Sequence, residues 1–307
     1  MRRQHPVRCA LVRFVHQRCG GKVPASVCDG GMKDVPSVDY LQFGDLEGLA
    51  GAIRANRPAV VQGARVPETC SSSVEEPDAL LKRIRKICGH REVPVRVASS
   101  NAQQEQSRRL LYRFVDGPVP HSQWRLYRVL DEVLATAADC KRGSPRSCAC
   151  YAASLSIEAR LPELAPHLLP VMELMEGLTR NLPLGPPVPL TPVIYFGAGA
   201  QRTPLHFDPT ENMTMILQGS KRFRLFPPSA SSRLQPRGGL MAALMCWWSG
   251  IIPAVYSDID AWNGQNPSGF DVELNAGDIM YLPAAWWHAV AGSPETNLSV
   301  VFVYEPV

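Results

Sequence analysis

The chain of 307 residues has no run of about eighteen apolar residues, the length that a membrane-spanning helix requires. Its longest candidate, Leu240 to Val255, is interrupted by Gly250 and Pro253, so no spanning helix is expected. The nine cysteines include no C-x-x-C pair, and Cys148-Ala149-Cys150 is too tight for half of a structural zinc site. An odd count at irregular spacing argues against a disulfide framework and for reduced thiols in an intracellular compartment, cytoplasmic or nuclear. Acid is missing from the first 28 residues, where Arg2, Arg3, Arg8, Arg13, Arg18 and Lys22 stand. Without those six, 26 basic residues face 28 acidic ones, so the formal charge of +4 belongs to the leader. That leader also lacks the apolar stretch of a secretory signal. It is expected to be a disordered basic tail or a mitochondrial presequence. No internal repeat and no extended low-complexity tract is present.

What is present divides into a tail (1–35), a stretch of helices and strands (36–190) and a β-rich stretch (191–307). Leu46 to Asn56 has helical spacing, and Pro58 to Gln62 reads as a short buried strand. Glu75–Ile87 and Gln123–Ala137 are further helical patterns, and Pro162 opens another, early enough for its missing N–H to cost little. From Val193 onward, short apolar runs are punctuated by Gly and Pro. They predict strands near Val193–Phe196, Pro204–Phe207, Asn212–Gln218, Arg222–Phe226, Phe270–Leu274, Ile279–Leu282, His288–Ala291 and Leu298–Tyr304. Helices followed by many short strands indicate an α+β protein with a barrel as its core. The segment Pro227–Gly269 is far longer than ordinary connections of about a dozen residues. Its Met241, Met245, Trp247 and Trp248 are too apolar for a free loop, which places it at the barrel mouth. The basic zone Lys82–Arg146 reads as a solvated helix face in preference to a nucleic-acid surface.

Chemistry enters with Thr203-Pro-Leu-His206-Phe-Asp208 and, much later, Trp286-Trp287-His288. In a strand, residues two apart share a face, so His206 and Asp208 can reach one ion while Phe207 turns away. Two His and one carboxylate form a facial set that suits non-haem Fe(II) and leaves positions open. The third ligand must then come from a strand near in space and distant in sequence. Donor atoms around one ion should lie roughly 3 Å apart. Lys221, Phe223 and Leu225 share one face of their strand while Arg222 and Arg224 share the other, which predicts an inward Lys221. Asp278 in Ala276-Gly277-Asp278 is a turn residue, and Phe207, Trp286 and Trp287 are packing residues around the site.

H-x-D alone is a weak signal, but its surroundings are specific. With Gly219–Pro228 after the first motif and Asn275–Pro283 before the second, the chain resembles the Jumonji-C oxygenases, a cupin-type family, in their small hydroxylase branch. The clear match runs from Ile194 to Tyr304, with weaker similarity back to Val38. The resemblance implies a double-stranded β-helix (jelly-roll) core with N-terminal helices packed around it. It also implies Fe(II), 2-oxoglutarate as co-substrate, and O2. His206, Asp208 and His288 would be the metal ligands. Lys221 and Thr203 would take the far carboxylate of 2-oxoglutarate, with Tyr151 completing that pocket and Asn212 contacting the metal-proximal end. The implied reaction is hydroxylation of a protein side chain; a tRNA base as substrate and a non-catalytic cupin binding module are the alternatives. Histone demethylation ranks lower, since no zinc module or chromatin-reading domain is attached. One departure stands out: Val301 occupies a position where related hydroxylases carry an Asn, and Asn297 is the nearby amide that could compensate. Small relatives often dimerise through helices after the last strand, whereas Glu305-Pro306-Val307 follow that strand here, so a monomer or weak dimer is expected.

Overall fold

A computed structural model describes residues 38–70, 78–97, 122–144, 150–231, 233–235, 254–257, 259–262 and 269–307. The basic leader and most of Pro227–Gly269, including Met241, Met245, Trp247 and Trp248, lie outside the described residues.

Helix α1 (Leu46–Arg54) starts at Asp45, whose side chain accepts the Gly48 N–H at 2.9 Å. It buries Leu49, Ala50, Ala52 and Ile53 on one face. Helix α2 (Ala79–Cys88) buries Leu80, Leu81, Ile84 and Cys88 at helical spacing and turns Lys82, Arg85 and Lys86 outward. Helix α3 (Leu126–Lys141) lies against it, tied by Arg85 to Asp131 at 2.6 Å. The helix expected from Gln123 therefore begins later, because Ser122–Arg125 is a strand. The basic zone also carries aromatic side chains: Arg128 lies 3.9 Å from the centre of the Trp124 ring, and Tyr127 is 47% exposed. A short helix α4 (Ile157–Arg160) and a 3-10 turn at Pro162–Leu164 lead into α5 (Ala165–Thr179).

The strands are β1 (Asp39–Gln42), β2 (Ala59–Gln62), β3 (Glu92–Val97), β4 (Ser122–Arg125), β5 (Cys150–Ser156), β6 (Val193–Gly197) and β7 (Arg202–Phe207). They continue as β8 (Glu211–Gln218), β9 (Ser220–Phe226), β10 (Val255–Tyr256), β11 (Phe270–Asn275), β12 (Ile279–Leu282), β13 (Trp287–Gly292) and β14 (Asn297–Tyr304). One nine-stranded sheet runs β1-β2-β12-β8-β14-β6-β5-β3-β4, and a five-stranded sheet runs β10-β7-β13-β9-β11. From β6 to β14 the chain passes repeatedly between the sheets, and among the described residues no two consecutive strands of this run pair with each other.

Alternation along each strand gives the large sheet two apolar faces. Ile194, Met213, Tyr281, Leu298 and Val300 pack with the helices. Ile216, Met280 and Leu282 instead meet Phe223, Leu225 and Leu274 of the small sheet, so the sheets face one another across a shared core. The outer face of the small sheet is covered where Leu205, Phe226 and the fully buried Trp287 pack with Leu234 and Val255. The chain is thus a sheet-rich α+β protein. Among the described residues, no helix is long and apolar enough to cross a membrane.

Candidate metal centre

Strands β7 and β13 are antiparallel neighbours with His206 directly opposite His288. The two rings lie with centroids 4.1 Å apart. Asp208 follows the end of β7, and its Oδ2 is 3.7 Å from His288 Nε2. One donor atom from each of the three lies within 4.8 Å of the others. These gaps exceed the roughly 3 Å expected around a bound ion, so the side chains must draw inward to reach one at about 2 Å.

The donor set fits a metal in its hydrogen bonding as well. His206 Nδ1 lies 2.8 Å from the Pro204 carbonyl, and His288 Nδ1 lies 3.1 Å from the Trp286 carbonyl. A carbonyl only accepts, so each Nδ1 carries the proton and each Nε2 keeps its lone pair for the ion. Burial pushes the Asp208 carboxyl upward in pKa, while His288 and a hydrogen bond from Asn212 pull it down. That bond runs from Asn212 Nδ2 to Asp208 Oδ2 at 3.3 Å. A cation among these groups would offset the burial. The backbone supports the same point, since the Ala285 N–H donates to the Asp208 carbonyl at 2.8 Å.

Thr203 reaches this face through a bulge. His206 opposes His288, yet Thr203 opposes Val290, so β7 holds one residue more than β13 between the two pairs. An extra residue swaps the alternation, and Thr203 returns to the face of His206. Lys221 lies on the same inner face, opposite Gly292 on β13. It is 3% exposed, and its Nζ donates to Ser299 Oγ at 2.7 Å across the space between the sheets. The ammonium also lies 5.3 Å from the centre of the Tyr195 ring. Burial alone pushes its pKa down to about 7. Tyr151, on β5, stands next in line, its ring 6.4 Å from that of Tyr195.

Asn297 does not stand in for an amide at Val301. It is fully buried and accepts a 2.8 Å hydrogen bond from Gln201, at the end of β14 away from Asn212 and Asp208. Val301 itself pairs with Val193 and Thr214. Asp278 acts as a turn residue, its Oδ2 accepting the Asn275 N–H at 2.8 Å. Trp286 and Trp287 are packed and anchored, their indole N–H groups donating to the Asn56 carbonyl and Ser231 Oγ, both at 2.9 Å. Three residues escaped the sequence reading. Ser299 and Tyr195 were open to discovery as the polar members of the inner faces of β14 and β6. Tyr256 was not, because the two-residue β10 carries no periodicity; its ring stacks on His206 at 5.2 Å.

The profile of the cupin-like domain matches residues 48–307, most of the chain. The chain belongs to the cupin-like family. Jumonji-C proteins are among the relatives of this cupin-like chain. It is 29% identical over 111 residues to lysine-specific demethylase JMJ31 of Arabidopsis thaliana, covering 36% of this chain and 20% of that one. It is likewise 29% identical over 112 residues to Jumonji C domain-containing protein 5 of Drosophila melanogaster, covering 36% and 27% respectively. A third relative, tRNA wybutosine-synthesizing protein 4 of Gibberella zeae, is 33% identical over 96 residues, covering 31% of this chain and 8% of that one. The matched regions thus span a minor part of each relative's length.

Proposed function

We propose that this cupin-like chain is an Fe(II)- and 2-oxoglutarate-dependent oxygenase that hydroxylates a protein side chain, and that its two sheets form a double-stranded β-helix around the site. The observation that carries the reading is Lys221. A buried ammonium is costly unless an anion meets it, and among the described residues no carboxylate lies within 4.0 Å of it. Its place on the same inner face as the two His fits a ligand that spans from the metal to the lysine.

In this reading His206 Nε2, His288 Nε2 and an Asp208 oxygen hold the metal, and Asn212 steadies Asp208. Lys221 and Thr203 receive the far carboxylate, with Ser299 fixing the ammonium and Tyr195 and Tyr151 walling the pocket. Bound iron would supply activation of O2, coupled to decarboxylation of 2-oxoglutarate to succinate and CO2. Phe223, Leu225 and Val301 keep the space between the sheets dry, which strengthens the Lys221 interaction. Val301 offers no hydrogen bond near the metal, so orientation there falls to Asn212. The described Cys70, Cys88 and Cys140 are free thiols, which supports an intracellular setting.

A tRNA base is the second reading, favoured by the resemblance to the wybutosine-synthesizing protein and by the Arg128–Trp124 pair beside exposed Tyr127. Anaerobic loading with Fe(II) and 2-oxoglutarate, followed by exposure to O2, tests the chemistry through succinate release. No succinate with any peptide or tRNA would leave the non-catalytic binding module. Product on tRNA alone, with binding that falls steeply with salt, would select the second reading.

A further inference from the structure

The inner end of the pocket, beyond Lys221, is closed by an amide pair. Along β13 the inner face reads His288, Val290, Gly292, and along β14 it reads Val301, Ser299, Asn297. Asn297 therefore stands one step past Ser299, the hydroxyl that receives Lys221. Gln201, just before β7, reaches into the same place and donates Nε2 to Asn297 Oδ1 at 2.8 Å. Two glycines make room for it. A Cβ on Gly292, the residue opposite Lys221, would collide with Gln201 Nε2 and meet Asn297 Nδ2 at 2.5 Å. A Cβ on Gly197, opposite Asn297, would meet Tyr151 Cδ2 at 2.8 Å and Gln201 Cδ at 3.0 Å. The Gln201 Oε1 atom is buried with no hydrogen-bond partner.

We propose that Gln201 determines how long a co-substrate the pocket accepts. This rests on the proposed 2-oxo-acid reading of the site. A dicarboxylate that chelates a metal at His206 and His288 meets Lys221 with its far carboxylate, and the Gln201–Asn297 pair blocks any deeper position. The unpartnered Oε1 adds an electrostatic bar, because a carbonyl oxygen offers nothing to a carboxylate. One methylene more should therefore be rejected by about tenfold or more, the discrimination a closed pocket gives for a single carbon.

Calorimetric titration of the full chain loaded with Mn(II), using 2-oxoglutarate and its six-carbon homologue 2-oxoadipate, tests this without turnover. The wild-type chain should favour 2-oxoglutarate by about tenfold or more, and Gln201→Ala should shrink that preference by about tenfold, through tighter 2-oxoadipate. Gln201→Glu keeps the shape but sets a carboxylate at the closed end that the far carboxylate approaches, so it should weaken both diacids by more than about tenfold. Thermal unfolding reports whether each variant is folded. If the wild-type chain binds neither diacid, the oxygenase reading fails and takes this inference with it. Should 2-oxoglutarate bind but the preference stay unchanged in Gln201→Ala, the inference alone is overturned. If Gln201→Ala does not fold, undiminished binding by Gln201→Glu overturns it equally.

Discussion

Lys221 pairs with a single hydroxyl and an aromatic face, and its burial lowers its pKa from 10.5 to about 7. Between those values the unfolded chain carries a proton that the folded chain lacks. The lysine's contribution to stability therefore rises with pH across that window and is least favourable below about 7. An anionic ligand reverses the balance by favouring the charged form. Binding of 2-oxoglutarate at pH 8 should take up a proton, and its affinity should fall as pH rises above about 7. Calorimetry in buffers of different ionisation enthalpy measures the uptake, and none would mean that no carboxylate meets Lys221. Lys221→Ala should weaken 2-oxoglutarate by more than a hundredfold, about 3–5 kcal/mol. At the other end of the pocket, Asp208 is the sole anion among the three clustered donors. Asp208→Ala should abolish Mn(II) retention in equilibrium dialysis. Asn212→Ala, which removes only the 3.3 Å support of that carboxylate, should weaken the metal by about tenfold. Equal losses in the two variants would show that Asn212 does more than steady Asp208.

The eight strands expected from Val193 onward all form, most of them extended by a residue or two at one end. They were legible because both of their faces are constrained and their turns are marked by Gly and Pro. Of the earlier strands, β2 was legible within Pro58–Gln62, whereas β4 and β5 were not. Trp124, Leu126 and Tyr127 suit a helical stripe as well as an alternating strand, and only pairing with the distant β3 makes Ser122–Arg125 a strand. The hydrophobic pattern of β5, with Ala152, Ala153 and Ser154, is too weak to read. The bulge in β7 illustrates a deeper limit: by alternation alone Thr203 faces away from His206, and the register that restores it belongs to β13. Similarly, Tyr151 stands beside Tyr195 only because β5 joins β6. The tight turn that carries the chain from β8 in one sheet to β9 in the other, the strands of Asn212 and Lys221, depends on Gly219. That residue has φ +67°, and a Cβ there would press into the Thr296 carbonyl. Gly219→Ala should therefore destabilise the chain by about 2 kcal/mol or more, a fall in Tm of roughly 5 °C or more. A Tm within a degree of wild type would show that this turn relaxes freely.

At the scale of the molecule, ligands that bind only the folded chain stabilise it by mass action. Saturating Mn(II) with 2-oxoglutarate at a hundred times its dissociation constant should add about 2.7 kcal/mol, visible as a rise in Tm that Asp208→Ala loses. An equal rise in Asp208→Ala would move the metal elsewhere. The passage of the chain from one sheet to the other at almost every turn bears on how this stabilisation arises in time. Since no two consecutive described strands from β6 to β14 pair with each other, every pairing among them must close a loop before any contact repays it. Such a topology folds slowly, over milliseconds to seconds. It also leaves His206 and His288 apart until β7 meets β13. Stopped-flow refolding should run at the same rate with and without Mn(II), whereas unfolding should slow by the full stabilisation. Faster refolding with metal would mean that β7 and β13 meet early. On the proposed reading the ion would then act as a latch on a finished structure, and a cell short of metal would accumulate folded chain with an empty centre in place of an unfolded one.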